Sequence, residues 1–182
     1  MFSTKLNISN IKISAKISAY ESDIRDWFLN NRHIVKESGS FFVYRLNKFV
    51  YCIYFKGHVN ITGLKNRGDV ESSVKLLTLL PFVKSAFLKS IDNITCSGKL
   101  SEENYSWNIS FAKYLKKLSE TDINIKFHPQ VFPGAFLKFE TQEGTIVFFA
   151  TGKFNIVGCK SFSSILKLLT RFGKSVQHVR MD

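Results

Sequence analysis

Long apolar runs are missing from this 182-residue chain. No stretch approaches the roughly 20 apolar residues that a membrane-spanning helix needs. The first residues, MFSTKLNISNIK, also lack the apolar segment that a secretory signal contains. The sequence therefore predicts neither a membrane span nor a secretory signal.

Patterns that bind metals or catalyse reactions are missing as well. The three cysteines, Cys52, Cys96 and Cys159, are an odd number without CxxC spacing, which is typical of reduced intracellular thiols. The four histidines lie far apart and match no zinc pattern. The chain has no Ser/His/Asp arrangement, no paired carboxylates in a suitable setting and no glycine-rich loop that opens a helix. We therefore predict that it is not an enzyme, and we expect no cofactor.

Acidic residues are few. The 14 Asp and Glu face 26 Lys and Arg, which gives a net charge of +12. Such an excess favours a polyanionic partner. The basic residues are dispersed along the chain, which indicates a folded basic surface rather than a tail, and we expect nucleic acid as the partner. Eighteen Phe are also present, and they either fill an aromatic core or are partly displayed.

Two sequence blocks occur twice, in the same order. GHVNITGLK at 57–65 matches GKFNIVGCK at 152–160, and SNIKIS at 9–14 matches DNITCS at 92–97. Two matched blocks indicate an internal duplication. We therefore predict a first repeat over residues 1–86 and a second over residues 87–182. A duplicated domain can present one surface twice to a partner that is itself pseudo-symmetric, as duplex DNA is.

Hydrophobic periodicity predicts the same order of elements in both halves, namely strand, helix, three strands and helix. All strands within a half can pair antiparallel, with the helices on one face, so the fold class is α+β and the other face of the sheet is open. The predicted strands are 5–17, 41–46, 49–55, 58–64, 87–97, 131–139, 144–150 and 153–159. The predicted helices are 21–30, 69–80 (ended by Pro81), 103–118 and 162–172, and residues 33–40 are predicted to form a turn.

The segment FHPQVFPGAFLKFETQEGTIVFFATGKFNIVGCK, residues 127–160, resembles the second repeat of the TATA-binding protein family. The likeness is carried by Phe-Pro-Gly at 132–134 and Phe-x-x-Gly-Lys at 149–153, and it is collinear over nearly the whole chain. It implies a two-repeat saddle, a curved antiparallel sheet with helices on the convex face. It also implies a transcription initiation factor that binds A·T-rich promoter DNA in the minor groove and bends it. In that family, pairs of Phe wedge between base steps.

By this resemblance, Phe132 and Phe149 form the wedge pair of the second repeat. The other interpretation is that both are core residues. In the first repeat, the position equivalent to Phe132 is occupied by Gly39. Phe41, two residues on, has the same strand parity and is the substitute candidate, with Tyr54 as its partner. We therefore expect the first wedge to be altered or missing.

The resemblance also implies base-contacting residues on the open face of the sheet. Asn10 and Asn93 match a pair of family asparagines whose amide donors suit the acceptors that A·T pairs show in the minor groove. Otherwise they are edge or turn residues. The further candidates are Thr62, Val157, Lys12, Thr95, Asn60 and Asn155.

Phosphate contacts and protein partners follow from the same resemblance. The candidates for phosphate contact are Arg45, Lys65, Lys138, Lys153 and Lys160, each of which could instead be a solvated charge. His128 and Gln130 replace glutamates that meet the B-type initiation factor in the family, so contact with that factor and the RNA polymerase machinery is in doubt.

Two functions remain open at this point. The first is the promoter-bending initiation factor, acting in the nucleus, or in a cytoplasmic viral factory or virion for a viral member. The second is a saddle that has lost promoter binding and serves as a protein-interaction module or an accessory nucleic-acid-holding module. The altered first wedge indicates a divergent member, such as a viral or protist one, in either case.

Overall fold

The chain forms two compact units in a computed structural model that describes residues 6–100, 110–140 and 143–181. The first unit comprises residues 10–92. The second comprises the residues from Asn93 onward together with the start of the first strand, as far as Ser9. Each unit is a five-stranded antiparallel arrangement with helices on one face.

The first unit contains a sheet with the strand order β2-β3-β4-β5-β1. Every neighbouring pair is antiparallel, as the sequence predicts. Its elements are β1 (Asn7–Ser18), α1 (Glu21–Asn30), β2 (Val35–Ser38), β3 (Phe41–Leu46), β4 (Phe49–Tyr54), β5 (His58–Leu64) and α2 (Arg67–Leu77).

The second unit repeats this plan with the strand order β6-β10-β9-β8-β7. Its neighbouring strands are again antiparallel. Its elements are β6 (Ser85–Lys99), which starts in the first unit, α3 (Phe111–Ser119), β7 (Ile123–Lys126), β8 (Gly134–Phe139), β9 (Thr145–Phe149), β10 (Lys153–Cys159) and α4 (Phe162–Met181).

Two short strands correct the predicted order of elements. The turn predicted at 33–40 is wrong, because it contains β2, and β7 was not predicted at all. Both are four-residue strands at the end of the strand order, and their sequences VKES and INIK are too short and too polar to show a clear period of two. Each half is therefore strand, helix, four strands and helix.

Helices α2 and α4 end at residues other than those predicted, and α3 is described only in part. α2 ends at Leu77, before Pro81, and the Thr78 hydroxyl donates to the Lys75 carbonyl oxygen at this end. α4 continues to Met181, beyond the predicted end at residue 172. α3 begins at Phe111 after its N-cap Ser110, whereas the predicted start at 103–109 lies outside the described residues.

Aromatic rings fix the helices to one face of each sheet. In the first unit, Phe42 of β3 lies 5.3 Å from Phe28 of α1, ring centre to ring centre. In the second unit, Phe148 of β9 and Phe154 of β10 lie 5.6 and 5.5 Å from Phe172 of α4. Since side chains alternate along a strand, the intervening residues emerge on the opposite face. Much of the Phe excess is therefore core.

Candidate nucleic-acid interface

The open face of each unit consists of the strand side chains that point away from the helices. On β4, for example, Tyr51 and Ile53 are buried under the helices, while Cys52 and Tyr54 between and after them are only half-buried. Strand alternation and register place cationic side chains on both open faces. In the first unit these are Lys12, Lys16, Lys36 and Arg45, and in the second they are Lys99, Lys126, Lys138 and Lys153. This surface suits a polyanion.

Three Phe rings cluster on the open face of the second unit. Phe132 lies 5.9 Å from Phe149 and 5.5 Å from Phe136 between ring centres. Phe132 is 38% exposed and Phe136 43% exposed, so neither ring is a core residue. Sequence reasoning missed Phe136, although the period of two from Phe132 through Gly134 points to it.

Gly134 makes room for this cluster. A Cβ at this position would come within 2.7 Å of the Phe132 ring and 2.9 Å of the Phe149 ring. Real Cβ atoms do not approach other atoms so closely, so the Phe-Pro-Gly motif needs its glycine beneath the two rings. The turn ahead of it is fixed by the His128 carbonyl oxygen, which accepts from the Val131 and Phe132 amides. The His128 and Gln130 side chains are exposed.

In the first unit, glycine and phenylalanine are exchanged between the two equivalent positions. Phe41 faces Tyr54 in the strand register, as Gly134 faces Phe149, and the two rings are 4.9 Å apart. Gly39, the counterpart of Phe132, has a left-handed φ of +60°, and a Cβ there would meet nothing within 4 Å. Phe41 packs against Tyr54 with the ring planes tilted by 38°, and the first unit has no ring at the position equivalent to Phe132.

A β-bulge brings the other candidates together, and it occurs in both units. Thr62 and Gly63 of β5 lie opposite the single residue Lys12 of β1, where the register shifts. Val157 and Gly158 of β10 lie opposite Thr95 of β6 in the same way. The two glycines have φ values of +92° and +84°, which a side-chain-bearing residue rarely adopts.

The bulge glycines hold the two asparagines in the same orientation. The Gly63 amide donates to Asn10 Oδ1 at 2.9 Å, and the Gly158 amide donates to Asn93 Oδ1 at 2.8 Å. Because a backbone N–H can only donate, the oxygen must face it and the Nδ2 donor must face away. Asn93 Nδ2 also donates to Thr95 Oγ1 at 3.3 Å, which leaves its second hydrogen available.

The units differ in the polar side chains around these asparagines. Thr62 Oγ1 donates to Asn10 Oδ1 at 3.1 Å, and Val157 has no hydroxyl to do the same. Asn60 Oδ1 lies 3.1 Å from both Ser14 Oγ and His58 Nε2. Asn155, in the second unit, lies between Ser97 and Val147 in the register. The first unit thus has the more connected polar surface.

Two of the basic candidates follow the bulges and are fixed at the backbone. The Lys65 amide donates to Asp69 Oδ2 at 2.7 Å, and the Lys160 amide donates to Glu143 Oε2 at 3.3 Å. The Lys48 side chain hydrogen-bonds to Asp69 and lowers its pKa, and the Ser164 hydroxyl does the same for Glu143. Arg45, Lys138 and Lys153 are exposed on the strands.

The described residues contain no group of His, Cys, Asp and Glu that could hold a metal ion. The cysteines are free, and burial raises the pKa of the Cys159 thiol to about 11. No helix within the described ranges is long and apolar enough to span a membrane.

Comparisons with known proteins agree with this geometry. A family model for transcription factor TFIID, or TATA-binding protein, matches residues 89–179. The TATA-box-binding protein of Thermoplasma volcanium is 27% identical over 146 residues, which cover 75% of this chain and 74% of that protein. The TATA-box-binding protein of Methanococcus aeolicus is 24% identical over 187 residues, covering 99% and 98%.

The fold has a close counterpart among solved structures. The Methanococcus jannaschii TBP matches with a TM-score of 0.71 at 21% identity, covering 96% of this chain and 99% of that one. This likeness confirms the predicted two-repeat saddle of α+β class. Family membership also confirms the prediction that the protein is not an enzyme. The chain belongs to the TATA-binding protein family, whose members are DNA-binding transcription factors.

Proposed function

We propose that this protein is a transcription initiation factor that binds A·T-rich duplex DNA through the minor groove and bends it. The observation that carries the proposal is the repeated Asn–Gly hydrogen bond, which turns the amide donor of the asparagine away from the bulge in each unit. A·T pairs show only acceptors in the minor groove, so two oriented donors suit them. The cationic side chains of the open faces supply affinity and register.

Bending would come mainly from the second unit. An apolar ring inserted between base pairs replaces part of the lost stacking and kinks the duplex. Phe132 and Phe149 support this role because they form a projecting cluster above Gly134. In the first unit, Phe41 and Tyr54 form a tilted ring pair, and Gly39 stands at the position equivalent to Phe132. We therefore expect one strong kink and one weak contact.

The wider assembly is part of the same proposal. The exposed His128 and Gln130 side chains stand where family glutamates meet the B-type initiation factor, so we expect that contact to be weak. The protein would act where promoter DNA is transcribed, in the nucleus or in the viral factory of a viral member.

End-to-end energy transfer on a labelled duplex with a central TATA element tests the proposal. The duplex is titrated with the protein at two salt concentrations. We expect the wild-type protein to shorten the end-to-end distance of the duplex. The Phe132→Ala and Phe149→Ala variants should not shorten it. Val131→Ala is the matched control, because Val131 is adjacent and 86% exposed but lies outside the ring cluster. Leu166→Ala, on an exposed site of α4, is the second control.

Each other outcome has a defined meaning. Binding of the duplex without a shorter end-to-end distance would contradict the bending role of the rings. It would leave the proposed groove binding in place. No binding at either salt concentration would refute the proposal and favour the second function, a saddle that holds a protein partner. An equal loss in Val131→Ala would show that the effect comes from the turn and not from the rings.

A further inference from the structure

One carboxylate reaches the open face through a hydrogen bond, although strand alternation groups Asp92 with the buried Ile94 and Cys96. Asp92 Oδ2 accepts a hydrogen bond of 2.7 Å from Ser14 Oγ, and Ser14 is an open-face residue of β1 whose neighbours Ile13 and Ala15 are fully buried. Asp92 Oδ1 accepts another of 2.7 Å from Ser90 Oγ. Asp92 is half-buried, and none of the ion pairs in the described part of the chain includes it.

The carboxylate is connected through Ser14 to Asn60, one of the base-contact candidates. Ser14 also lies 3.1 Å from Asn60 Oδ1, which in turn is 3.1 Å from His58 Nε2. The Ser14 hydroxyl has a single proton, and the charged oxygen of Asp92 is the nearer acceptor. This arrangement holds the carboxylate at a fixed point of the surface, where each oxygen retains capacity to accept another hydrogen bond.

The equivalent position of the other repeat carries no charge. Ser9, which precedes Asn10 as Asp92 precedes Asn93, donates to Ser97 Oγ at 3.3 Å. Ser97 is the counterpart of Ser14 by the same alignment of SNIKIS with DNITCS. The two repeats thus share the contact but differ in the group that makes it, a hydroxyl in one and a carboxylate in the other.

A carboxylate on a surface that meets the minor groove has a definite base preference. The A·T pair presents only acceptors there, and these repel an anionic acceptor. The guanine 2-amino group is the one donor in the minor groove. We propose that Asp92 is a specificity-determining residue that selects a G·C pair at one position within an otherwise A·T-rich site. The inference rests on the proposed minor-groove function. Because Ser9 lacks the charge, the preference is one-sided and gives the site a direction.

Selection from a randomised duplex library, followed by titration of the selected site, tests the inference. We expect the wild-type protein to select a G·C pair at one position, and Asp92→Asn to accept A·T there with a shift in the ratio of the two affinities of at least about fivefold. Glu71→Gln removes one negative charge from an exposed position of α2 and should leave the G·C preference unchanged. The double variant Ser9→Asp, Asp92→Ser should move the G·C position along the site.

Inosine separates base recognition from general repulsion. Inosine pairs with cytosine but lacks the 2-amino group, so replacing the selected guanine should weaken the wild-type protein and leave Asp92→Asn unaffected. A purely structural or purely repulsive role would change affinity for all duplexes equally and would overturn the inference. Identical A·T preferences in wild type and Asp92→Asn would also overturn it, while leaving the proposed function intact. No duplex binding by either protein would refute both.

Discussion

At the scale of single residues, the asparagines show how one side chain can serve both the fold and the binding surface. Asn10 and Asn93 each satisfy a bulge amide with the oxygen of the side chain. The nitrogen of the same amide group is thereby turned away from the bulge amide. An unsatisfied backbone amide would be costly, so the fold itself maintains the orientation that minor-groove recognition needs.

Asn93→Asp separates these two roles. Aspartate retains an oxygen for the Gly158 amide but replaces the Nδ2 donor by an acceptor. We expect little change in the urea midpoint and a loss of about 1–3 kcal/mol in preference for A·T-rich over mixed-sequence DNA. Asn93→Ala should lose both, including about 1 kcal/mol of stability. Equal loss of affinity on both DNA sequences for Asn93→Asp would contradict base reading.

Asp69 is a buried carboxylate in the first turn of α2. It is 6% exposed and accepts hydrogen bonds from Lys48 Nζ and the Lys65 amide. These lower its folded-state pKa below the unfolded value. Its stabilisation is therefore present above the unfolded pKa and disappears as pH falls through the lower, folded pKa.

Asp69→Asn should reduce the free energy of unfolding by about 1–3 kcal/mol at neutral pH, because a charged acceptor is lost. The difference from wild type should vanish in acid, below the folded pKa of Asp69. Urea unfolding of both proteins at a series of pH values measures this. Glu71→Gln, on the exposed side of the same helix, is the control, and a difference that persists in acid would rule out ionisation as the cause.

At the scale of elements, the paired bulges are the feature that most strongly links the two repeats. Each inserts one extra residue into a strand, next to an asparagine and ahead of a lysine. The Gly-x-Lys ending of both blocks is readable in the sequence, and the bulge gives it a physical reason. The left-handed glycine absorbs the insertion, and the lysine follows it out of the strand.

The two bulge glycines are not equally sensitive to substitution. Either alanine variant suffers the strain of a positive φ, which costs about 1–3 kcal/mol. At Gly63 the new Cβ would also lie 2.6 Å from the Lys48 carbonyl oxygen, whereas at Gly158 the nearest atom is 3.5 Å away. We expect Gly63→Ala to lower the urea midpoint more than Gly158→Ala does. The reverse order would show that the backbone near Lys48 moves freely.

At the scale of the whole molecule, charge sets the partner. The chain carries a net charge of +12, and the register concentrates cations on the open faces of both units. Displacing counterions from DNA makes such binding depend steeply on salt. Affinity from this source is independent of sequence, so it should be separable from the contributions of Asn93 and Asp92.

Arg45→Ala and Lys138→Ala should each weaken binding to every duplex and reduce the salt slope by about one. Both residues are exposed on equivalent strands, β3 and β8. Lys75→Ala removes an exposed cation from α2 and is the matched control. Binding measured over a series of salt concentrations gives the slopes. A slope unchanged by Arg45→Ala would remove it from the phosphate-contacting set.

The sequence by itself predicted the duplication and the antiparallel pairing within each repeat, and its Phe-Pro-Gly motif carried the resemblance that named the wedge candidates. Those features are local: a period of two, a repeated glycine frame and a Phe-Pro-Gly turn can be recognised without distant contacts. The four-residue strands β2 and β7 could not be predicted, because strands so short and polar form only against a neighbour that is already in place.

Tertiary structure alone decided what each candidate side chain meets. Asn10 and Gly63 are 53 residues apart, and Asn93 and Gly158 are 65 apart, so neither hydrogen bond can be read from its own strand. The same holds for Asp92, whose carboxylate accepts from Ser14, 78 residues away in the sequence. Strand register brings these groups within hydrogen-bonding distance, and register emerges only once the whole sheet is assembled.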